Sequence, residues 1–322
     1  MLKYSVIGTS WITRSFIDGA NLYEDLSLDG VYSRSLEKGK AFAEEMGAKR
    51  VFTDFNDLAS SDTDLVYVAS PNVCHYEQCK ALLLNGKHVI CEKPVTITAE
   101  EFNKLCNIAK ERNLVYFEAI MYMHTPLRQV LKDAVSKIGK IRSATIDFSQ
   151  LSSKYQALKN GELPNIFNPE MKTGALNDLG IYCVYPVIDL FGMPVEITPI
   201  QHFLHTGADG CGSAIFEYED KLVTITYSKV GQSRSPSQIM GDEGTVTIDS
   251  ISKLDGIKLF NNLGEEKLLN GETDKKYLMG NEAKSALDFI LRREETDNFL
   301  EECQLMNKKV LLCMEKMRVE NA

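Results

Sequence analysis

Lys93 stands where a charged side chain can do chemistry. It follows the apolar run Val89-Ile-Cys91 and Glu92 and precedes Pro94, which cannot carry a central strand onward. The run therefore reads as a buried strand with a Glu-Lys pair at its carboxyl end. In open parallel sheets ligands bind at that end, so the ammonium can orient a substrate or move a proton. A second pair lies far along the chain. Asp178 and Tyr182 are four residues apart in Gly174-Ala-Leu-Asn-Asp-Leu-Gly-Ile-Tyr182, which reads as the start of a helix reaching toward Leu190. At that spacing they share one helical face. A carboxylate and a phenol on one face, opposite Lys93, suit a sugar or polyol hydroxyl; a helix-capping Asp178 and a core Tyr182 are the alternative.

The elements that must position Lys93 alternate in type. Tyr4-Ser-Val-Ile-Gly8 reads as a strand, and a helix follows to about Tyr23, with Ile12, Phe16, Ile17 and Ala20 toward a sheet. Leu28 to Ser33 is a strand, Leu36 to Met46 a helix, Arg50 to Thr53 and Asp64 to Ala69 strands, and His75 to about Asn85 a helix. The strand His88 to Cys91, a helix from Thr98 to Arg112 and the strand Val115 to Glu118 complete the series. Such alternation with short loops predicts a doubly wound parallel sheet. The Gly8, Ser70-Pro71-Asn72 and Glu92-Lys93 turns then all fall at strand carboxyl ends.

A glycine turn between a first strand and a helix lets a dinucleotide pyrophosphate approach backbone amides. Here Ser10 and Thr13 replace the second and third glycines of G-x-G-x-x-G, and the Ser10 hydroxyl can donate to phosphate. The second strand ends Tyr32-Ser33-Arg34. A hydroxyl and a guanidinium there suit a 2′-phosphate, so NADP is expected, with NAD the alternative.

Gly8-Thr9-Ser10-Trp11-Ile12, Ala69-Ser70-Pro71-Asn72 with His75, and Glu92-Lys93-Pro94 together resemble the Gfo/Idh/MocA family of NAD(P)-dependent oxidoreductases. The stretch through Asp178 and Tyr182 resembles the family's second signature, with Tyr182 where His is common, as in the branch of dimeric dihydrodiol dehydrogenase and glucose-fructose oxidoreductase. Asn165-Ile-Phe167-Asn-Pro-Glu170 also looks like that branch. The resemblance implies that these turn residues bind the cofactor and that Lys93 lies beside the nicotinamide and the reacting hydroxyl. Unperturbed Tyr and Lys titrate near 10 and 10.4, so a base at neutral pH needs a lowered value. The expected roles are Tyr182 as acid/base, Lys93 as polariser and relay partner, and Asp178 as substrate orienter. Met121, Tyr122, Asn165 and Phe167 are candidate substrate residues. A catalytically silent dinucleotide sensor is the competing reading.

Beyond Pro126 the pattern changes. After a helix from Leu127 to Val135, runs of period two at Lys140 to Phe148, Gly212 to Tyr218, Lys221 to Ser228 and Thr245 to Asp249 predict antiparallel strands. The expected fold is α/β: a Rossmann domain over residues 1–122, then an α+β substrate and dimerisation domain over 123–322 with a large, mostly antiparallel open sheet. A homodimer through that sheet is expected. Two amphipathic helices in the tail, with Leu305, Met306, Val310 and Met314 on a core stripe, are expected to pack back on the first domain.

Composition narrows the rest. In 322 residues the net charge is -9, with no Lys/Arg-rich block, which argues against nucleic acid and anionic membranes. There is no run of 18 apolar residues and no leader-like segment, so a soluble cytoplasmic protein is expected. Eight cysteines, none in a C-x-x-C pair, read as reduced thiols. No metal site is expected: His202 and His205, three apart in an apparent strand, face opposite sides.

Overall fold

The computed structural model describes residues 1–292 and 296–319 of the chain. It divides into two compact units: residues 1–124 with 274–308, and residues 125–273 with 309–322.

In the first unit β1 (Leu2–Ile7), α1 (Trp11–Ala20), β2 (Leu26–Tyr32), α2 (Leu36–Met46), β3 (Arg50–Phe52), α3 (Phe55–Ala59), β4 (Leu65–Val68), α4 (Asn72–Leu84), β5 (His88–Glu92), α5 (Ala99–Glu111), β6 (Tyr116–Ala119) and the single turn α6 (Met121–His124) follow in order. The strands form one parallel sheet in the order β3-β2-β1-β4-β5-β6. This is the doubly wound Rossmann arrangement, and its order reverses between β1 and β4, which places the ligand crevice at their carboxyl ends. Val66, Tyr67, Val68, Val89, Ile90 and Cys91 are all fully buried, as strands covered on both faces must be. Helix α1 ends at Ala20, short of Tyr23, and buries Thr13 in place of Ile12, which stays half-open.

In the second unit α7 (Leu127–Val135) leads into β7 (Ile141–Ser149) and α8 (Tyr155–Lys159). Short 3-10 turns at Asn165–Phe167 and Pro169–Met171 and a π-helical turn at Leu176–Gly180 precede α9 (Ile181–Phe191). Strands β8 (Glu196–Phe203), β9 (Asp209–Glu217), β10 (Leu222–Ser228), β11 (Ser237–Gly241), β12 (Gly244–Ser250), β13 (Asp255–Asn261) and β14 (Glu266–Leu268) complete an eight-stranded sheet, ordered β14-β13-β12-β11-β7-β10-β9-β8. Only the β7–β10 pair is parallel; the other pairs are antiparallel. Val223, Ile225 and Tyr227 of β10 are buried while Leu222, Thr224 and Thr226 take the other face, the alternation expected of a half-covered sheet. Strands β11, β13 and β14 are additions to the sequence reading. His202 lies in β8, but His205 falls in the turn after it, so the two never share a strand.

Two helices close the chain, α10 (Lys275–Ile290) and α11 (Thr296–Met317). Helix α10 lies against α1 in the first unit. A methyl at Gly19 would come within 2.5 Å of the Gly280 amide, so only glycine permits that approach. Met306, Val310, Met314 and Met317 of α11 are buried, but Leu305 is exposed, contrary to the expected stripe. Asn307 takes the interior place instead, because a buried carboxylate there accepts its amide.

Candidate active site

At the carboxyl end of β1, Gly8 has φ +102°, and a Cβ there would stand 2.7 Å from the Ala69 carbonyl oxygen. No other residue lets the β1 and β4 turns approach so closely. Thr9, Ser10, Trp11 and Ile12 follow at the start of α1. The Ser10 side chain does not cap that helix, and its first turn carries no acid, so amides at its positive end are open to an anion. At the end of β2 the Ser33 hydroxyl accepts from the Ser35 amide at 3.3 Å. Arg34 beside it is exposed and has no hydrogen bond or ion pair among the described residues. An uncapped helix end behind an obligatory glycine, with a cation at the tip of β2, fits a dinucleotide.

The Ser70 and Lys93 turns are stapled together from below. His75 is 1% exposed, and its Nδ1 and Nε2 each lie 2.9 Å from a carbonyl oxygen, of Pro94 and Ser70 respectively. Burial lowers its pKa, while the two carbonyl oxygens, which call for N–H donors, act in the opposite direction. His75 thus lies beneath the turns and shapes them, while Ser70 donates to Gln78 Oε1 at 2.6 Å, and Pro71 and Asn72 open α4.

Glu92 is the last residue of β5 and Lys93 the first beyond it, with a cis Lys93–Pro94 bond. The Tyr67 hydroxyl donates to Glu92 Oε1, and the Lys93 amide donates to Oε2 at 3.3 Å. Burial pushes the Glu92 carboxyl above the usual carboxylate range, against the Tyr67 hydrogen bond and the charges of Lys93 and Lys275, which favour its ionised form. One strand over, Glu118 accepts from the Val95 amide and from Asn307 Nδ2, both at 2.7 Å. This bond explains why Asn307, rather than Leu305, faces inward on α11. On α10, Glu282 is 1% exposed; burial and the carboxylates of Glu92 and Glu118 hold its pKa well above normal.

In the second unit Asp178 lies in the π-helical turn and Tyr182 in α9. Regular helical spacing is therefore not what sets their placement; each has its own partner. Lys229, just past β10, forms an ion pair with Asp178, and the Tyr182 ring meets Phe148 edge-on at 5.5 Å between centroids. π-Helical turns recur at functional sites. Asp209 anchors this segment by accepting from the Leu176 amide at 2.7 Å, and burial pushes its pKa up to about 7.

Of the other candidate substrate residues, Met121 and Tyr122 are buried in α6 and Phe167 is fully buried beside Tyr155. The carbonyl oxygen of Asn165 accepts from the Thr173 hydroxyl at 2.7 Å. Tyr67, Glu118, Glu282, Asn307, Lys229 and Asp209 are given no role in the site by the sequence reading. The one available signal was polarity inside apolar runs, as with Tyr67 in Leu65–Val68 and Glu118 in Tyr116–Ala119.

The fold and the first unit's turns define a dinucleotide-dependent oxidoreductase of two units. The family model for the NAD-binding Rossmann fold of the GFO/IDH/MocA oxidoreductases matches residues 2–120, and that of the family's C-terminal domain matches 127–247. A scyllo-inositol 2-dehydrogenase (NADP(+)) of Bacillus subtilis is 38% identical over 260 residues, 80% of this chain and 79% of that protein. A trans-1,2-dihydrobenzene-1,2-diol dehydrogenase of Xenopus laevis is 29% identical over 77% of this chain and 75% of its own. Among solved structures, a 3-ketoreductase from Actinomadura kijaniata in complex with NADP and TDP-benzene superposes with a TM-score of 0.80 at 21% identity, over 95% of this chain and 96% of that one. The chain belongs to the Gfo/Idh/MocA family of NAD-binding oxidoreductases. It is an enzyme with a nicotinamide cofactor, which sets aside the silent sensor. Among the described residues no cluster of three or more His, Cys, Asp or Glu could hold a metal, and no helix is long and apolar enough to cross a membrane.

Proposed function

We propose that this oxidoreductase prefers NADP and transfers hydride reversibly between the nicotinamide and the carbinol carbon of a sugar, polyol or diol. The observation that carries this reading is Lys93, set at the end of β5 on a Glu92 carboxylate that Tyr67 holds from below. When bound, the nicotinamide supplies the hydride acceptor or donor. Tyr182 takes or returns the carbinol proton, Lys93 polarises the hydroxyl oxygen and relays that proton, and Asp178, braced by Lys229, orients a neighbouring hydroxyl. Gly8 to Ile12, Ser70 to Asn72 and Glu92 line the cofactor, with His75 fixing the last two turns from beneath. Met121, Tyr122, Asn165 and Phe167 shape the substrate preference.

The preference for NADP rests on Ser33 and on Arg34, exposed and without an ion pair among the described residues. The relative from Bacillus subtilis, by its name an NADP(+) enzyme of scyllo-inositol, supports both the cofactor and the polyol class. The open face of the second unit's sheet carries Ile200, 70% exposed, with Ile215 and Leu222, on which the reading places a homodimer contact. Eight free cysteines suit a reducing cytoplasm, and a net charge of -9 suits small-molecule rather than nucleic-acid partners.

The test is reduced-nicotinamide absorbance across a panel of inositols, sugars and diols with wild type, Lys93→Ala and Tyr182→Phe. Each variant is expected to lose roughly 10²-fold or more in kcat with cofactor affinity retained. Near-normal turnover in either would remove that residue from the chemistry. Arg34→Ala should weaken NADP far more than NAD, and light scattering should give twice the chain mass.

A further inference from the structure

Helix α10 carries two charges that the proposed chemistry does not use. Lys275 and Glu282 are seven residues, two helical turns, apart and so share its inner face with Leu278 and Met279, both buried. Lys275 Nζ lies 3.7 Å from the ring centroid of Trp11, a cation seated on an indole face. Trp11 is the first residue of α1, just past the Gly8 turn, and is 64% exposed. Beyond its Asp274 cap, the first turn of α10 has two lysines and no acid, the reverse of what the positive end of a helix favours. Local rules are broken in this way where function requires it.

The same ammonium acts on the Glu92 and Glu282 carboxyls, favouring the ionised form of each. Glu282 is buried, and its Oε2 has no hydrogen-bond partner among the described residues. Lys275 thus lies on Trp11, three residues past Gly8, and its charge reaches Glu92 at the end of β5; the turns at these two strand ends are the ones a dinucleotide bridges.

We infer that Lys275 is a cofactor-binding residue supplied by α10, whose Nζ, seated on the Trp11 indole, contacts the pyrophosphate of the bound dinucleotide. The inference rests on the cofactor reading above and adds a residue from an element far outside the Rossmann series.

Trp11 is the only tryptophan of the chain, so its quenching follows binding directly. NADPH, NADH and 2′,5′-ADP, which lacks the pyrophosphate, are titrated into wild type, Lys275→Met, Lys275→Arg and Arg34→Ala. Lys275→Met keeps an apolar stem on the indole without the charge. It should raise the Kd of NADPH and NADH by the same factor, about tenfold, and leave that of 2′,5′-ADP unchanged. Lys275→Arg should restore most of the loss, and Arg34→Ala should change the NADPH to NADH ratio instead. Dinucleotide affinities within roughly twofold of wild type in Lys275→Met, or an equal loss for 2′,5′-ADP, would overturn the assignment. A wild-type protein that binds neither dinucleotide would overturn the cofactor reading and this one with it.

Discussion

The Tyr67 hydroxyl donates to the Glu92 carboxylate, so a phenol in the middle of a buried strand holds the residue that immediately precedes Lys93. The Tyr67 ring also stacks on Phe16 at 3.8 Å between centroids, which ties this hydrogen bond to the helix behind the glycine turn.

Tyr67→Phe keeps the stacking and removes only the donor. The loss of one donor to a buried carboxyl should lower unfolding free energy by about 1–3 kcal/mol in a denaturant titration. The bond favours the ionised Glu92, so without it the Glu92 pKa rises further. The acid limb of the kcat/KM profile should therefore move to higher pH. An unmoved profile would uncouple Glu92 from the reaction.

Asp178 and Lys229 should behave as one unit. Their side chains are 28% and 12% exposed, so removing one charge leaves the other poorly hydrated. Lys229→Met and Asp178→Asn should each destabilise the protein, and the double variant should be less destabilised than the sum by at least about 0.5 kcal/mol. Additive losses would mean that the pair does not brace the π-helical turn.

Gly8→Ala forces a side chain onto φ +102° and against the Ala69 carbonyl. The expected cost is about 1–3 kcal/mol, with cofactor affinity falling at the same time, because the β1 and β4 turns must part. Calorimetry with and without NADPH measures both. A variant with wild-type stability and affinity would show that the two turns approach less closely.

The Asp209 carboxyl has a folded pKa of about 7, raised from 3.8 by burial. The folded state then holds a proton that the unfolded state has released, so this group's contribution is fully present below about pH 4 and is lost as pH rises toward 7. A tenfold change in proton affinity is worth about 1.4 kcal/mol, which makes the effect a few kcal/mol. Asp209→Asn keeps an oxygen for the Leu176 amide and removes the titration. Wild-type stability relative to this variant should therefore fall between pH 4 and 7, and a constant difference across that window would place the proton elsewhere.

Much of the first unit could be read from the chain alone. Alternating strands and helices with short loops admit few topologies, and Gly8, Ser70 and Glu92 mark strand ends through local backbone chemistry. The same holds for β7, β9, β10 and β12, whose period-two patterns follow from one wet and one dry face. Strands β13 and β14 were less legible because they lie toward the edge of the sheet, where fewer neighbours impose a pattern, and the central β11 because five residues, SQIMG, are too few to show an alternation.

Order along the chain thus determined the class of fold, the turns at the carboxyl ends of β1, β4 and β5 and the charged residue beyond β5. Tertiary structure alone decided which buried polar groups gather about Glu92 and the turn after it. Tyr67, Glu118, Glu282 and Asn307 come from four elements spread over most of the chain; the first two are polar residues in apolar strands, while Glu282 and Asn307 stand among other polar residues of their helices and look like solvated ones. A buried polar group must find partners wherever packing brings them, and packing is set by shape and volume across elements rather than by neighbours in sequence.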